Sequence, residues 1–104
     1  MQFILTAQDK TDEGAFQRRL DVRQSHIELG DKLRDEGKLL FAAGHIDESG
    51  KLCGSTMIFD VSSREELEFL LKQEPYLLNN VWDGIKLTPC KVGPSFAVLT
   101  KEKS

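Results

Sequence analysis

The sequence predicts an α+β fold: a four-stranded antiparallel sheet with two helices on one face. Three observations predict it. Short apolar stretches of strand length alternate with two stretches of helical periodicity, in the order β-α-β-β-α-β. The two middle strand stretches, KLLFAAG at 38–44 and LCGSTMIFDV at 52–61, flank HIDESG, whose turn chemistry closes an antiparallel hairpin. The chain has 104 residues, 39% of them apolar and 30% charged, which suits one domain with a modest core.

Residues 2–8, QFILTAQ, alternate loosely and open with apolar β-formers, so they read as a strand. Residues 9–14 form a polar loop. The first helix runs from 14 to 36, with Gly37 placed to end it as a left-handed residue. After the hairpin, Ser62 with Glu65 and Ser63 with Glu66 offer two overlapping capping boxes. Leu67, Leu70 and Leu71 are the apolar stripe of the second helix, and Pro75 disfavours helical geometry at Glu74 and ends it there. Residues 76–80 are expected as a bridging turn and 82–91 as the last strand. Beyond residue 93, Pro94 precedes an apolar FAVL patch, fit for a short extra strand or a partner contact, and a charged end whose last four residues are expected to be mobile. The domain is thus 1–93, with 94–104 as a C-terminal extension. The βαββαβ order is the ferredoxin-like split βαβ arrangement. Ile4, Met57, Phe59, Ile85 and Leu87 supply more apolar strand residues than one helix layer needs, so a homodimer packed sheet to sheet is expected.

Bulk properties remove several function classes. The net charge is -3 with acids and bases interspersed, and no basic patch carries interleaved aromatics, so no nucleic-acid partner is expected. No apolar run approaches the roughly 20 residues of a membrane span. MQFILTAQDK lacks a basic leader and reads as an opening strand, not a signal peptide. Cys53 and Cys90 form no CxxC and read as free thiols of a reducing compartment, so a cytoplasmic location follows by default. His26 and His45 are the only histidines, in no metal-ligand spacing, and there is no GxGxxG, phosphate loop or nucleophile elbow. No metal and no cofactor are expected.

The functional signal lies in the first helix. At about 100° per residue, Phe16, Leu20, Ile27, Leu29, Gly30 and Leu33 fall on one side. Arg19, Arg23 and His26 sit near the centre of that apolar side. Turned inward, they cost desolvation energy unless a structural acid or a ligand anion pairs with them. His26 suits proton transfer because imidazole titrates near neutrality. Arg19 and Arg23 suit a carboxylate or an enolate oxygen, and Ser55, beside Gly54 in the hairpin, offers a hydroxyl. The plain alternative is an internal salt bridge that only satisfies itself. It is favoured for Arg19 and evenly balanced for Arg23, while Ser55 reads as a plain strand residue and Tyr76 and Trp82 as packing residues.

In TAQDK at 6–10, RRLDVRQSH at 18–26, DEGKLLFAAG at 35–44, GSTMIFDV at 54–61 and EPY at 74–76, the chain resembles the YciI-like family over nearly its whole length. The resemblance implies a ferredoxin-like fold, a dimeric α+β barrel and an active site built on a histidine and an acid. It also implies relatives such as a dehydrochlorinase acting on a chlorinated hydroxymuconolactone; most members have no assigned reaction. Carried over, the histidine is His26 and the arginine three before it is Arg23. The family's Asp-Pro-aromatic becomes Glu74-Pro75-Tyr76, an acid one methylene longer, and Asp9 is the alternative acid partner. His45 stands after Gly44 where the family often has proline. The expectation is a lyase or isomerase of dehydrochlorinase-like type. His26 moves a proton, Glu74 or Asp9 orients it, and Arg23, Arg19 and Ser55 bind a small acidic or lactone-like substrate. The alternative is a non-catalytic small-ligand or interaction module on the same fold.

Overall fold

The computed structural model describes residues 1–101. The expected mobile end therefore falls almost wholly on 102–104, outside the described residues. Strand β1 is Gln2–Gln8, helix α1 Ala15–Asp35, β2 Leu39–Ile46, β3 Leu52–Asp60, α2 Arg64–Leu71, α3 Pro75–Leu78 and β4 Lys86–Cys90. A short 3-10 turn, Pro94–Phe96, leads to α4, Val98–Lys101. The four strands form one antiparallel sheet in the order β2-β3-β1-β4. The ferredoxin-like α+β fold expected from the element order is the fold found.

The pairing register explains the core. Phe3 stands opposite Phe59, Leu5 opposite Met57 and Ala7 opposite Ser55. With a side-chain period of two, these residues share one sheet face, and they are buried in one cluster with Leu33 of α1 and Leu67, Leu70 and Leu71 of α2. Met57 and Phe59 thus belong to the helix-side core, and Ile85 and Leu87 pack partly against it. Of the five apolar residues assigned to a possible surplus, only Ile4 lies on the open face, where it pairs with Ile58.

Local chemistry accounts for the element ends, and it corrects several expected boundaries. Gly37 does stand at φ +75° just past α1, in the left-handed region that favours glycine. Strand β2 runs on through His45 and Ile46 because Asp47 Oδ1 accepts from the backbone N–H groups of Ser49 and Lys51, which confines the turn to a few residues. Only one capping arrangement forms at α2: Ser63 Oγ accepts from Glu66 N at 3.1 Å, and Glu66 Oε1 reaches back to Ser62 N at 2.7 Å. Helix α2 stops at Leu71, short of Glu74. Pro75 then opens α3 at its first position, where a missing N–H costs nothing, so the expected bridging turn is a short helix. The last strand is shorter than 82–91. Gly84, at φ +82°, breaks the run, leaving Trp82 in an isolated bridge with Asp9. The FAVL patch forms no strand; it lies in the 3-10 turn and α4.

Helix α1 presents a different face from the one its apolar residues suggest. Ala15, Arg19 and Leu33 are buried, and Val22 and Leu29 pack against the core. Together with His26 they form a stripe spaced by threes and fours. Phe16, Leu20 and Ile27, on the neighbouring stripe, are 36%, 45% and 38% exposed. Lys51 stands 4.9 Å over the Phe16 ring, and Ile27 lines the space between α1 and β2.

Candidate active site

Arg19 is the structural centre of the site. Its Nε donates to Asp9 Oδ2 at 2.7 Å, its Nη2 to Gly54 O at 2.7 Å and Ser55 Oγ at 3.1 Å, and its Nη1 to Tyr76 Oη at 3.3 Å. The side chain is almost wholly buried, and its acid partner nearly so. Trp82 Nε1 also donates to Ser55 Oγ at 3.2 Å. The guanidinium therefore ties the end of β1, β3 and α3 to the N-terminal part of α1. An ion pair taken out of water persists only when its remaining hydrogen-bonding groups are also met. Arg19 meets that condition; Asp9 Oδ1, buried without a partner among the described residues, does not.

One and two turns further along α1 from this anchor lie Arg23 and His26. His26 Nδ1 is 2.5 Å from Glu74 Oε1. The same oxygen accepts from Tyr76 N at 3.1 Å, as the N-cap of α3. Glu74 is therefore fixed twice, by the helix it caps and by the imidazole. A buried carboxylate beside Nδ1 favours the tautomer with the proton on Nδ1, leaving Nε2 as the basic nitrogen. The imidazole stacks on the Tyr76 ring, with centroids 3.9 Å apart and planes within 11°, and Trp82 meets it edge-on. Burial pushes the Tyr76 phenol above its ordinary value of 10.0, against the pull of Arg19 and Arg23, so it is an O–H at neutral pH.

His26 and Arg23 line a cleft of about 240 Å³ between α1 and β2, with Ala42, Gly44, Ser55 and Tyr76 among its walls. Arg23 makes no hydrogen bond or ion pair with any described residue. Unlike Arg19, it is a half-buried cation with its fork free, and it faces a space of small-molecule size.

The structure thus sorts the predicted residues into two groups. Glu74 is the acid at His26, and Asp9 is the acid at Arg19; no hydrogen bond joins Asp9 to His26. Ser55 is buried and already accepts from both Arg19 and Trp82. His45 lies away from this cleft, with Nε2 2.6 Å from Thr56 Oγ1. Sequence reasoning took Tyr76 and Trp82 for packing residues and missed their contact with the imidazole. The aromatic two places after Glu74 was the available signal. Among the described residues no cluster of histidine, cysteine, aspartate or glutamate could hold a metal ion, and no helix is long and apolar enough to cross a membrane.

Fold and site together define a ferredoxin-like domain with a histidine–acid pair in a cleft beside its sheet edge. The YCII-related domain family matches residues 1–91, and the chain belongs to that family. Protein YciI of Escherichia coli is 32% identical over 97 residues, covering 88% of this chain and 97% of that protein, and Protein YciI of Shigella flexneri matches to the same extent. Among solved structures, 5-chloro-2-hydroxyhydroquinone dehydrochlorinase (TftG) from Burkholderia phenoliruptrix, in complex with 2,5-dihydroxybenzoquinone, superposes with a TM-score of 0.76 at 18% identity, covering 91% of this chain and 98% of that one. A dimeric ferredoxin-like protein of unknown function from Jannaschia gives 0.50 at 15% identity, over 88% and 98% of the two chains. At these identities the structures establish the fold. The dehydrochlorinase among them is named for a chlorinated hydroxyhydroquinone, not for the lactone that the resemblance suggested.

Proposed function

We propose that the chain is a small-molecule enzyme of lyase or isomerase type that moves a proton on a small anionic substrate. His26 acts as the base and then the acid, Glu74 holds its tautomer, and Arg23 binds the substrate's carboxylate or enolate oxygen. Proton abstraction beside a carbonyl, with the charge that develops held by a guanidinium, needs these parts and no more. Arg19, Asp9 and Ser55 serve by holding the walls. One observation carries the proposal: an imidazole anchored at Nδ1 by a buried carboxylate shares a cleft with an arginine that has no partner among the described residues. The fold likeness to a dehydrochlorinase supports the reaction class, because elimination of halide begins with the same proton removal.

The active form is a homodimer. Ile4, Ile58 and Phe41 lie on the sheet face that no helix covers, and a second copy is the partner that buries such a face. The mass of the native protein in solution tests this, and a strict monomer contradicts it.

The reaction is tested with 5-chloro-2-hydroxyhydroquinone and a panel of small keto acids in deuterated buffer, following chloride release and deuterium uptake at carbon. Turnover is expected in the wild type, with a loss of about 10²- to 10⁴-fold in His26→Gln. Binding without turnover in the wild type, or turnover that survives His26→Gln, overturns the proposal; the former outcome makes the protein a ligand-binding module.

A further inference from the structure

The cleft at His26 is one half of a longer groove. A second cavity of about 240 Å³ continues along α1 and β2, lined by Ile27, Gly30, Leu39, Leu40 and Phe41, with Asp31 and Arg34 at its far rim. The two halves share His26, Ile27, Ala42 and Met57. They differ in chemistry. The half beside Arg23 carries the free cation. The other is walled mainly by apolar residues, and the charge at its rim is already neutralised: Arg34 donates to Asp31 at 3.4 Å and to Asp35 at 3.1 Å.

A β-bulge creates the space. Leu39 pairs with Phe59 and Phe41 with Ile58, so β2 has one residue more than β3 over this step. The extra residue reverses the alternation beyond it. Ala42 and Gly44 are therefore in phase with Met57 and Ser55 on the helix side, and Phe41 and Ala43 with Ile58 and Thr56 on the open side. Without the bulge, Phe41 would take the position opposite Met57 that Ala42 holds, with its ring on the helix side of β2. Gly30 on the opposite wall adds no side chain either; a Cβ there would stand 3.7 Å from Leu39 Cδ2.

We infer that the substrate is an amphipathic anion whose acidic head meets Arg23 and whose apolar tail or ring lies along Ile27, Gly30 and Leu40, with the reacting carbon beside His26 at the junction. This rests on the proposal that Arg23 is the anion-binding group, and it adds the substrate class. The occupant is a small molecule because the apolar half is continuous with the free cation and the imidazole. A segment of protein laid there would bury Arg23, which has no counter-charge among the described residues.

The test is a series of straight-chain acids, acetate, butyrate, hexanoate and octanoate, titrated by NMR into the wild type, Gly30→Leu, Ile27→Asn and Arg23→Gln. In the wild type, affinity should rise about two- to four-fold per added methylene, the lower figure applying to a half-covered chain. Gly30→Leu and Ile27→Asn should flatten that rise, while Arg23→Gln weakens every member alike. Ile27 is 38% exposed, so its variant folds even where Gly30→Leu does not. A flat series in the wild type, or a rise that survives both groove variants, overturns the inference. If short acids still bind and need Arg23, only the apolar tail is lost; if no acid binds, the anion site falls with it. A change in native mass on either groove substitution assigns the groove to a second copy and overturns the inference as well.

Discussion

Arg19→Met keeps most of the apolar stem of the side chain and removes the guanidinium. Four hydrogen bonds go with it, to Asp9, Gly54, Ser55 and Tyr76. The gravest loss is at Asp9, whose side chain is 9% exposed and whose Oδ1 already lacks a partner among the described residues. Without Arg19 both of its oxygens are buried and unpaired. Breaking a buried ion pair from one side costs about 3–5 kcal/mol, against a total of about 5–15 kcal/mol for a domain. At this chain length each kcal/mol lowers the melting temperature by about 4–8 °C, so a fall of ~12 °C or more is expected. Urea unfolding followed by circular dichroism should show a lower midpoint at unchanged slope. The double variant Asp9→Leu/Arg19→Met removes the stranded charge and should recover much of the loss, giving strongly non-additive effects. A cost under about 1 kcal/mol, the range of an exposed ion pair, would refute the assignment of Arg19 as the anchor of the site. Strict additivity of the two changes would refute the pairing.

Three further outcomes follow from the same structure. Ser63→Ala removes the oxygen that accepts from Glu66 N, and the loss of an N-cap should cost about 1 kcal/mol in a melt; no change would mean that the reciprocal Glu66–Ser62 bond caps α2 alone. Ala42→Phe should restore the bulk that the bulge withdraws, leaving the melting temperature within a few degrees and abolishing carboxylate binding by NMR; binding that persists would place the ligand elsewhere. The Arg18 guanidinium beside Asp12 holds its carboxyl at about 2, below its ordinary 3.8. A folded-state value below the unfolded one means that the pair contributes in full above the ordinary carboxylate range and loses its contribution as the pH falls toward 2. The pair is exposed, so the Asp12→Asn difference in urea midpoint should be small at neutral pH and shrink further as the pH falls through 2; a difference that grows on acidification contradicts this.

What the residues reveal in advance depends on how local the determining physics is. The order of elements along the chain, the hairpin, the αL glycine at 37 and the Leu67–Leu70–Leu71 stripe are set by short-range periodicity and capping, and all were legible. So was the inward turn of Arg19, Arg23 and His26, because a helix fixes the relative angles of its own residues. Which acid meets which base was not. Asp9 and Glu74 come from opposite ends of the chain, and their assignment depends on the β1–β3 register and on the short helix that Pro75 opens. The buried face of α1 was misjudged for a related reason: the Phe16–Leu20–Ile27 stripe is as apolar as the one the sheet covers, and tertiary packing, not local pattern, decides between them. The bulge at Leu40 leaves no mark in composition, yet it determines whether Phe41 or Ala42 faces the cleft.

The central claim is that His26, held at Nδ1 by Glu74, and Arg23 act on one anion in one cleft. The most direct measurement is the nitrogen-15 spectrum of the His26 ring on titration with acetate, in the wild type, Glu74→Gln and Arg23→Gln. The account predicts a proton on Nδ1 in the free protein and a shift of the Nε2 signal as acetate binds. That shift should disappear in Arg23→Gln, and the tautomer should become mixed in Glu74→Gln. An imidazole whose nitrogens do not respond to the anion, or that respond equally without Arg23, would contradict it.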